Sequence, residues 1–463
     1  MREAGTGPGA GRALGAAGAP DVAELAALDA AGLNHWARSH VGAATVLAAR
    51  SVARMGRERG PHGRAVRRFA SSISGLRADA RRADVLAVRQ AFDALPAAAR
   101  ELVTVAYPGV VGPLNGVPFE YRVRANQLVV VAALHTLQRR ERIEARRQRA
   151  EGRNRVTRWA GRLRAWAEPS SVRARRRDLG RMVAGFRHAV EHQEPPLRLL
   201  VASTAGAGRI VALDGVIGEG TRSVTVFVPG TTTDANSLQA NMERLRAVDG
   251  SDADPVAHTG VYWEGAEFPR TLVDNAAPRF AIGLRDLLAA FDAALDLETA
   301  VSGARQIYVG HSFGGAAIGS AEALGHDLTA DAVVYAGAPG AGYGIRGPQD
   351  TANPFARRYA LVAQGDLNPA AGHFFFGRTM GVAPLTAMGV TRLSTGFLDH
   401  AGRTGRLHNH DDYFRPGSTS ALNIRAVALA HPVLEWQGSG LTDAELAAHI
   451  DAAGVPALPG VPA

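Results

Sequence analysis

The chain has 463 residues, 46% of them hydrophobic and 21% charged, enough for two or three folding units with real cores. It has no cysteine, which excludes a disulfide framework, cysteine catalysis, thiolate zinc and iron–sulfur sites. The net charge of +9 conceals an asymmetry: residues 1–190 hold 34 Arg against 15 acidic residues and residues 191–463 hold 18 against 28, as expected of two modules of opposite sign.

Residues 1–20 are Gly- and Ala-rich without an apolar stretch, which reads as a disordered tail and not as a secretory signal. From residue 21 to about 106, apolar residues recur near i, i+3, i+4 and i+7, a helical period broken at Gly60-Pro61-His62-Gly63 and ended at Pro108-Gly109. Asn115-Gly116-Val117-Pro118 reads as a turn, and another helix is expected over 122–148. Residues 139–187 carry 17 Arg against 5 acidic residues. That segment reads first as a solvated basic helix or linker facing the acidic half, and second as a contact for nucleic acid or an anionic membrane surface. Trp159 and Trp166 within it read as helix-docking residues.

After Pro195-Pro196 the period changes. Short β-branched runs at 198–203, 209–213, 223–228, 259–263, 306–309, 332–335, 359–363 and 390–395 alternate with helical stretches at 235–248, 271–295, 314–323 and 418–430. That alternation predicts a doubly wound, mostly parallel sheet covered on both faces, with its chemistry at the carboxyl ends of the strands. The expected divisions are a tail at 1–20, a basic all-helical region at 21–190, a catalytic domain at 191–440 and a C-terminal helix and tail at 441–463. No apolar run reaches the roughly 20 residues a bilayer needs, so a soluble protein is expected, cytoplasmic or exported without a cleavable signal.

The strongest local signal is Gln306-Ile307-Tyr308-Val309-Gly310-His311-Ser312-Phe313-Gly314-Gly315. A β-run, a Gly-x-Ser-x-Gly pentapeptide and an Ala-rich helix follow without a gap, the pattern of a nucleophile elbow, which makes Ser312 the candidate nucleophile. A serine hydroxyl needs a base and a group to orient that base, expected in the chain order Ser, acid, His. The second strand after the elbow leads into Gln364-Gly365-Asp366, so Asp366 is the expected acid over Asp350 and Asp399. For the base, His400, His408, His410 and His431 all lie after the last strand, with His410 heading a loop into the final helix; His373 reads as filling an apolar surface. Oxyanion donors are expected from the Phe313 amide and from Thr231 or Thr232, in the turn after the 223–228 strand. No His-Glu-x-x-His or Walker A pattern is present, and Gly337–Gly342 lacks the Lys-Ser/Thr of a phosphate loop, so no metal or cofactor is expected.

Five stretches together resemble an actinobacterial α/β-hydrolase family known as a domain of unknown function. They are Val224–Asp234 with Asn241, Tyr262–Pro269, Gly310–Gly315, Ala363–Asp366, and His410–Ser418 leading to Asn423; Gly112–Asn126 is similar to the motif that family carries upstream. The resemblance implies an α/β-hydrolase fold and a serine hydrolase in which Ser312, Asp366 and His410 act together. Glu264-Gly265-Ala266-Glu267 is more acidic than the family pattern and is expected to border the pocket. The expected reaction is hydrolysis of a small ester or lipid-like substrate, with Phe374–Phe376, Met380 and Met388 either lining an acyl site or forming a buried cluster; the alternative is a catalytically silent fold that binds partners through its Arg-rich half.

Overall fold

The computed structural model describes residues 21–76, 81–152, 170–191, 196–367, 369–370, 374, 379–438 and 441–453. The expected tail at 1–20, Trp159, Trp166, His373 and Phe375–Phe376 lie outside them.

The N-terminal part is helical. Short helices over 22–111 begin at side-chain caps such as Asp21, Asp29 and Ser51, each accepting a bond from a first-turn amide. Pro108 opens a further short helix, Pro108–Val111, where the sequence pattern placed a stop; a proline at the first helical position lacks only an N–H that would have no partner there. The helix Phe119–Gly152 follows, buried over much of its first half and largely exposed over 139–147. Ser170–Glu191 packs on it.

Eight strands form one sheet: β1 (Arg198–Ser203), β2 (Arg209–Asp214), β3 (Ser223–Val228), β4 (His258–Glu264), β5 (Arg305–His311), β6 (Ala332–Ala336), β7 (Arg357–Leu361) and β8 (Thr391–Arg392). Their order is β1-β2-β4-β3-β5-β6-β7-β8, with β2 antiparallel to both neighbours and the pairs from β4 through β8 parallel. This is the α/β-hydrolase arrangement, a mostly parallel sheet preceded by a helical region.

Side-chain alternation along the strands assigns the two faces. Ile210, Ala212, Phe227 and Val309 meet the helices Leu238–Asp249 and Thr419–Leu429, in one cluster with Leu128, Val131 and Leu134 of the long N-terminal helix. Val211, Val226, Tyr308 and Val333 meet the helices Arg279–Thr299 and Phe313–Glu322 on the other face. A further cluster, including Phe69, Phe92 and Tyr107, lies within the N-terminal helices themselves.

Two elements differ from the sequence pattern. The helix expected over 271–295 is split into a 3-10 turn, Leu272–Ala276, capped by Thr271, and the helix Arg279–Thr299. Pro278 is the cause, since it forces Ala277 into extended geometry. The last strand shrinks to Thr391–Arg392, and a small hairpin of Phe397–Asp399 with Thr404–Arg406 follows. Among the described residues no helix is long and apolar enough to cross a membrane.

Candidate active site

Ser312 stands between β5 and the helix that begins at Phe313, with φ 53° and ψ −125°. A non-glycine residue in that region is strained, and strain of this kind persists only where the surroundings enforce it. Here the Ser312 amide donates to Ala336 O at 2.9 Å across to β6. The flanking glycines allow the turn: a Cβ on Gly310 would strike the Gly314–Gly315 backbone, and one on Gly314 would strike Val228 O. The serine is thereby held at the carboxyl end of the central strands.

Asp366 sits in the loop after β7, and His410 Nδ1 donates to its Oδ2 at 2.7 Å. The Asp366 side chain is 1% exposed and that of His410 19%, so the carboxylate lies behind an imidazole that reaches the cavity. Because the carboxylate accepts, Nδ1 carries a proton, and in the neutral ring Nε2 is left as the acceptor. Ser312 and His410 line the same cavity of about 460 Å³ without a direct hydrogen bond between them, a separation that substrate binding commonly closes in such sites.

The competing residues have other partners. His400 Nδ1 bonds Thr419 Oγ1 at 3.0 Å, His408 lies against Gly365, and His431 is exposed. Asp350 Oδ2 accepts the Arg346 amide at 2.8 Å and Asp399 Oδ1 the Gly402 amide at 2.9 Å, both local loop bonds.

Three supporting residues have no local sequence signature. The Tyr413 hydroxyl donates to Asp366 Oδ2 at 2.8 Å and accepts the Ala363 amide at 2.9 Å, tying the acid to its own loop. Gly337, at φ 60°, lies behind all three groups: a Cβ there would come within 2.8 Å of Tyr413, 3.0 Å of His410 and 3.1 Å of Asp366. His311 Nε2 donates to the His410 carbonyl at 2.9 Å, fixing the backbone that carries the imidazole. Burial, followed by the neighbouring His410, pushes the His311 pKa down to about 3 and keeps the ring neutral.

The turn after β3 lies directly on the elbow, since a Cβ on Gly230 would come within 2.9 Å of Ser312 Cβ. Thr232 has φ 70° and its amide donates to Pro269 O at 2.7 Å, so that amide is already engaged and Thr231 is left as the donor of the expected pair. Phe313 is the first residue of its helix, where backbone amides have no intrahelical acceptor.

The acidic stretch after Trp263 does not form the cavity wall. Glu264 is buried and accepts from the Tyr262 hydroxyl at 2.9 Å; burial raises its pKa well above the usual carboxyl range. Met380 and Met388 belong to the core beneath the sheet, while Phe374 is 84% exposed. Another cavity of about 280 Å³, beside Arg392 and Trp436, contains neither Ser312 nor His410 and is not the candidate site. No cluster of potential metal ligands occurs among the described residues.

No protein-family model matches the chain, and neither does any curated protein. Among solved structures it is similar to a dienelactone hydrolase from Anabaena variabilis, at 17% identity over 50% of this chain and 91% of that one, with a TM-score of 0.28. It is also similar to an acylaminoacyl peptidase from Pyrococcus horikoshii, at 13% identity over 54% of this chain and 43% of that one, again with a TM-score of 0.28. Likenesses this weak carry no argument, and the fold rests on the strand order and the strand–turn–helix at Ser312.

Proposed function

We propose that this chain is a serine hydrolase that cleaves carboxylic esters through Ser312, His410 and Asp366, a member of the actinobacterial family its motifs resemble, with residues 191–440 as catalytic domain and 21–190 as helical region. The observation that carries the reading is the 2.7 Å bond from His410 Nδ1 to a buried Asp366, in a cavity shared with a serine held in strained geometry. Ser312 Oγ bonds to the ester carbonyl carbon as its proton passes to His410 Nε2. The C–O bond then breaks and the alcohol departs with that proton. Water, losing a proton to His410, attacks the acyl-enzyme and releases the acid, and the proton returns to Ser312. Charge on the carbonyl oxygen is stabilised by the Phe313 and Thr231 amides, a contribution on the order of 10²–10³-fold for each donor. No cofactor enters this scheme.

The test is the Ser312→Ala variant. Wild-type protein is expected to turn over short p-nitrophenyl esters and to be labelled by a fluorophosphonate, whereas the variant loses both and keeps its circular dichroism and melting temperature. Undiminished turnover in Ser312→Ala overturns the assignment, and an unlabelled, inactive wild type favours the silent fold.

A further inference from the structure

The cavity above Ser312 contains a guanidinium that the acyl-transfer chemistry does not use. Arg244, on the helix Leu238–Asp249, lines this cavity with Ser312 and His410, and its side chain is 29% exposed. It is held from behind by a chain of bonds starting in the core. Tyr262 donates to the buried Glu264 at 2.9 Å, Asn241 Nδ2 donates to the Tyr262 hydroxyl at 3.4 Å, and Asn241 Oδ1 accepts from Arg244 at 3.3 Å. The amide of Asn241 is therefore oriented with its oxygen toward Arg244.

Among the described residues Arg244 has one ion pair, to Asp411 at 3.5 Å, and the Asp411 side chain is 75% exposed. A pair of that length to so exposed a carboxylate contributes little and yields to a better-placed anion. The remaining wall is mixed: Thr232, Asn236 and Ser237 present polar groups beside Leu272 and Ala240, while the Thr231 and Thr233 hydroxyls already donate to Asn275 Oδ1 and Gly230 O. A long alkyl chain would strip water from Arg244, Thr232 and Asn236 without replacing those hydrogen bonds. A carboxylate on Arg244 would instead gain charge-assisted bonds from a planar fork of donors. A single guanidinium with Asp411 nearby suits a monoanion and not a phosphate dianion.

Resting on the ester-hydrolase reading above, we propose that this cavity selects esters carrying a free carboxylate, which docks on Arg244 while the ester carbonyl lies over Ser312. The experiment compares kcat/KM for mono-p-nitrophenyl glutarate and the neutral p-nitrophenyl pentanoate in wild type, Arg244→Gln and Arg244→Lys, with Ser312→Ala as background. Wild type is expected to favour the anionic ester on the order of 10- to 100-fold, as for loss of a charged hydrogen bond. The preference should reside in KM, weaken with added salt, vanish in Arg244→Gln and survive in part in Arg244→Lys. Equal turnover of both esters by wild type, or a preference that persists in Arg244→Gln, overturns carboxylate selection and leaves the hydrolase reading intact. No Ser312-dependent turnover of either ester overturns both.

Discussion

Two buried polar clusters show how differently the two parts of this molecule use similar side chains. In the helical region Arg122, Asn126 and Gln127 are fully buried on one helix against β1. Their donors end on backbone carbonyls: Arg122 on Gly112 and Leu200, Asn126 on Gly112 and Leu199, Gln127 on Leu197. β1 is an edge strand, and these bonds satisfy carbonyls that would otherwise be orphaned under a helix. At the other cluster Asp366 is equally buried, yet the chain of bonds through His410 ends at a cavity with Nε2 unengaged. Burial with every one of these donors ending on a fixed acceptor makes a structural tie. Burial that ends in an open valence at a cavity makes a candidate for chemistry.

The comparison breaks most visibly at Asp366. Asp366→Asn keeps the shape of the side chain but presents an amide to His410 Nδ1, favouring the wrong tautomer of the imidazole. Ester turnover should fall on the order of 10³- to 10⁴-fold in kcat, measured with a chromogenic ester, with little change in melting temperature. A variant with wild-type kcat would place Asp366 among the structural ties.

Arg122→Met should show the opposite signature. It leaves Gly112 O, Leu200 O and Asn115 Oδ1 without the guanidinium that now donates to each, at a cost of roughly 3 kcal/mol or more by denaturant titration. Burial depresses the Arg122 pKa to about 10, partly offset by the Glu298 carboxylate, and the bonds to Gly112, Leu200 and Asn115 hold the guanidinium in place. The folded fraction of that variant should retain wild-type kcat. A loss of kcat without a loss of stability would show that the two clusters are energetically one.

How much of this could be read beforehand follows the range of the contacts. The elbow was legible because strand, turn and helix are consecutive, and each leaves a local pattern at Gln306–Gly315. Asp366 was legible because a loop after a recognisable strand is where this topology puts an acid. His410 was separable from His400 and His408 only through the motif resemblance, since those three share the same stretch of loops and hairpin, whereas His431 lies beyond the final helix. The supports were not legible. Tyr413 meets Ala363 across 50 positions and Gly337 backs onto a pair of loops far along the chain; such contacts depend on register and twist, which no local window encodes. Arg244 is one arginine among 52 basic residues, and nothing in the helical period distinguishes a cavity wall from a solvated face. Thr232 shows the complementary limit, because its residue type said nothing about Pro269 O capturing its amide.

The smallest expected effect concerns His311, which belongs to both categories, since it ties down a backbone carbonyl and also lines the cavity. Its pKa is about 3 in the folded protein, against about 6.5 for an unfolded chain. Between those values the unfolded state binds the extra proton, so stability rises with pH through that window and is lost as pH falls from about 6.5 toward 3. His311→Gln can retain a donor toward the His410 carbonyl while removing the titration. The urea midpoint of wild type should therefore fall further between pH 7.5 and pH 5 than that of the variant, whatever the other acidic and histidine groups contribute to both. Should the two midpoints move in parallel, His311 does not titrate as a buried neutral ring.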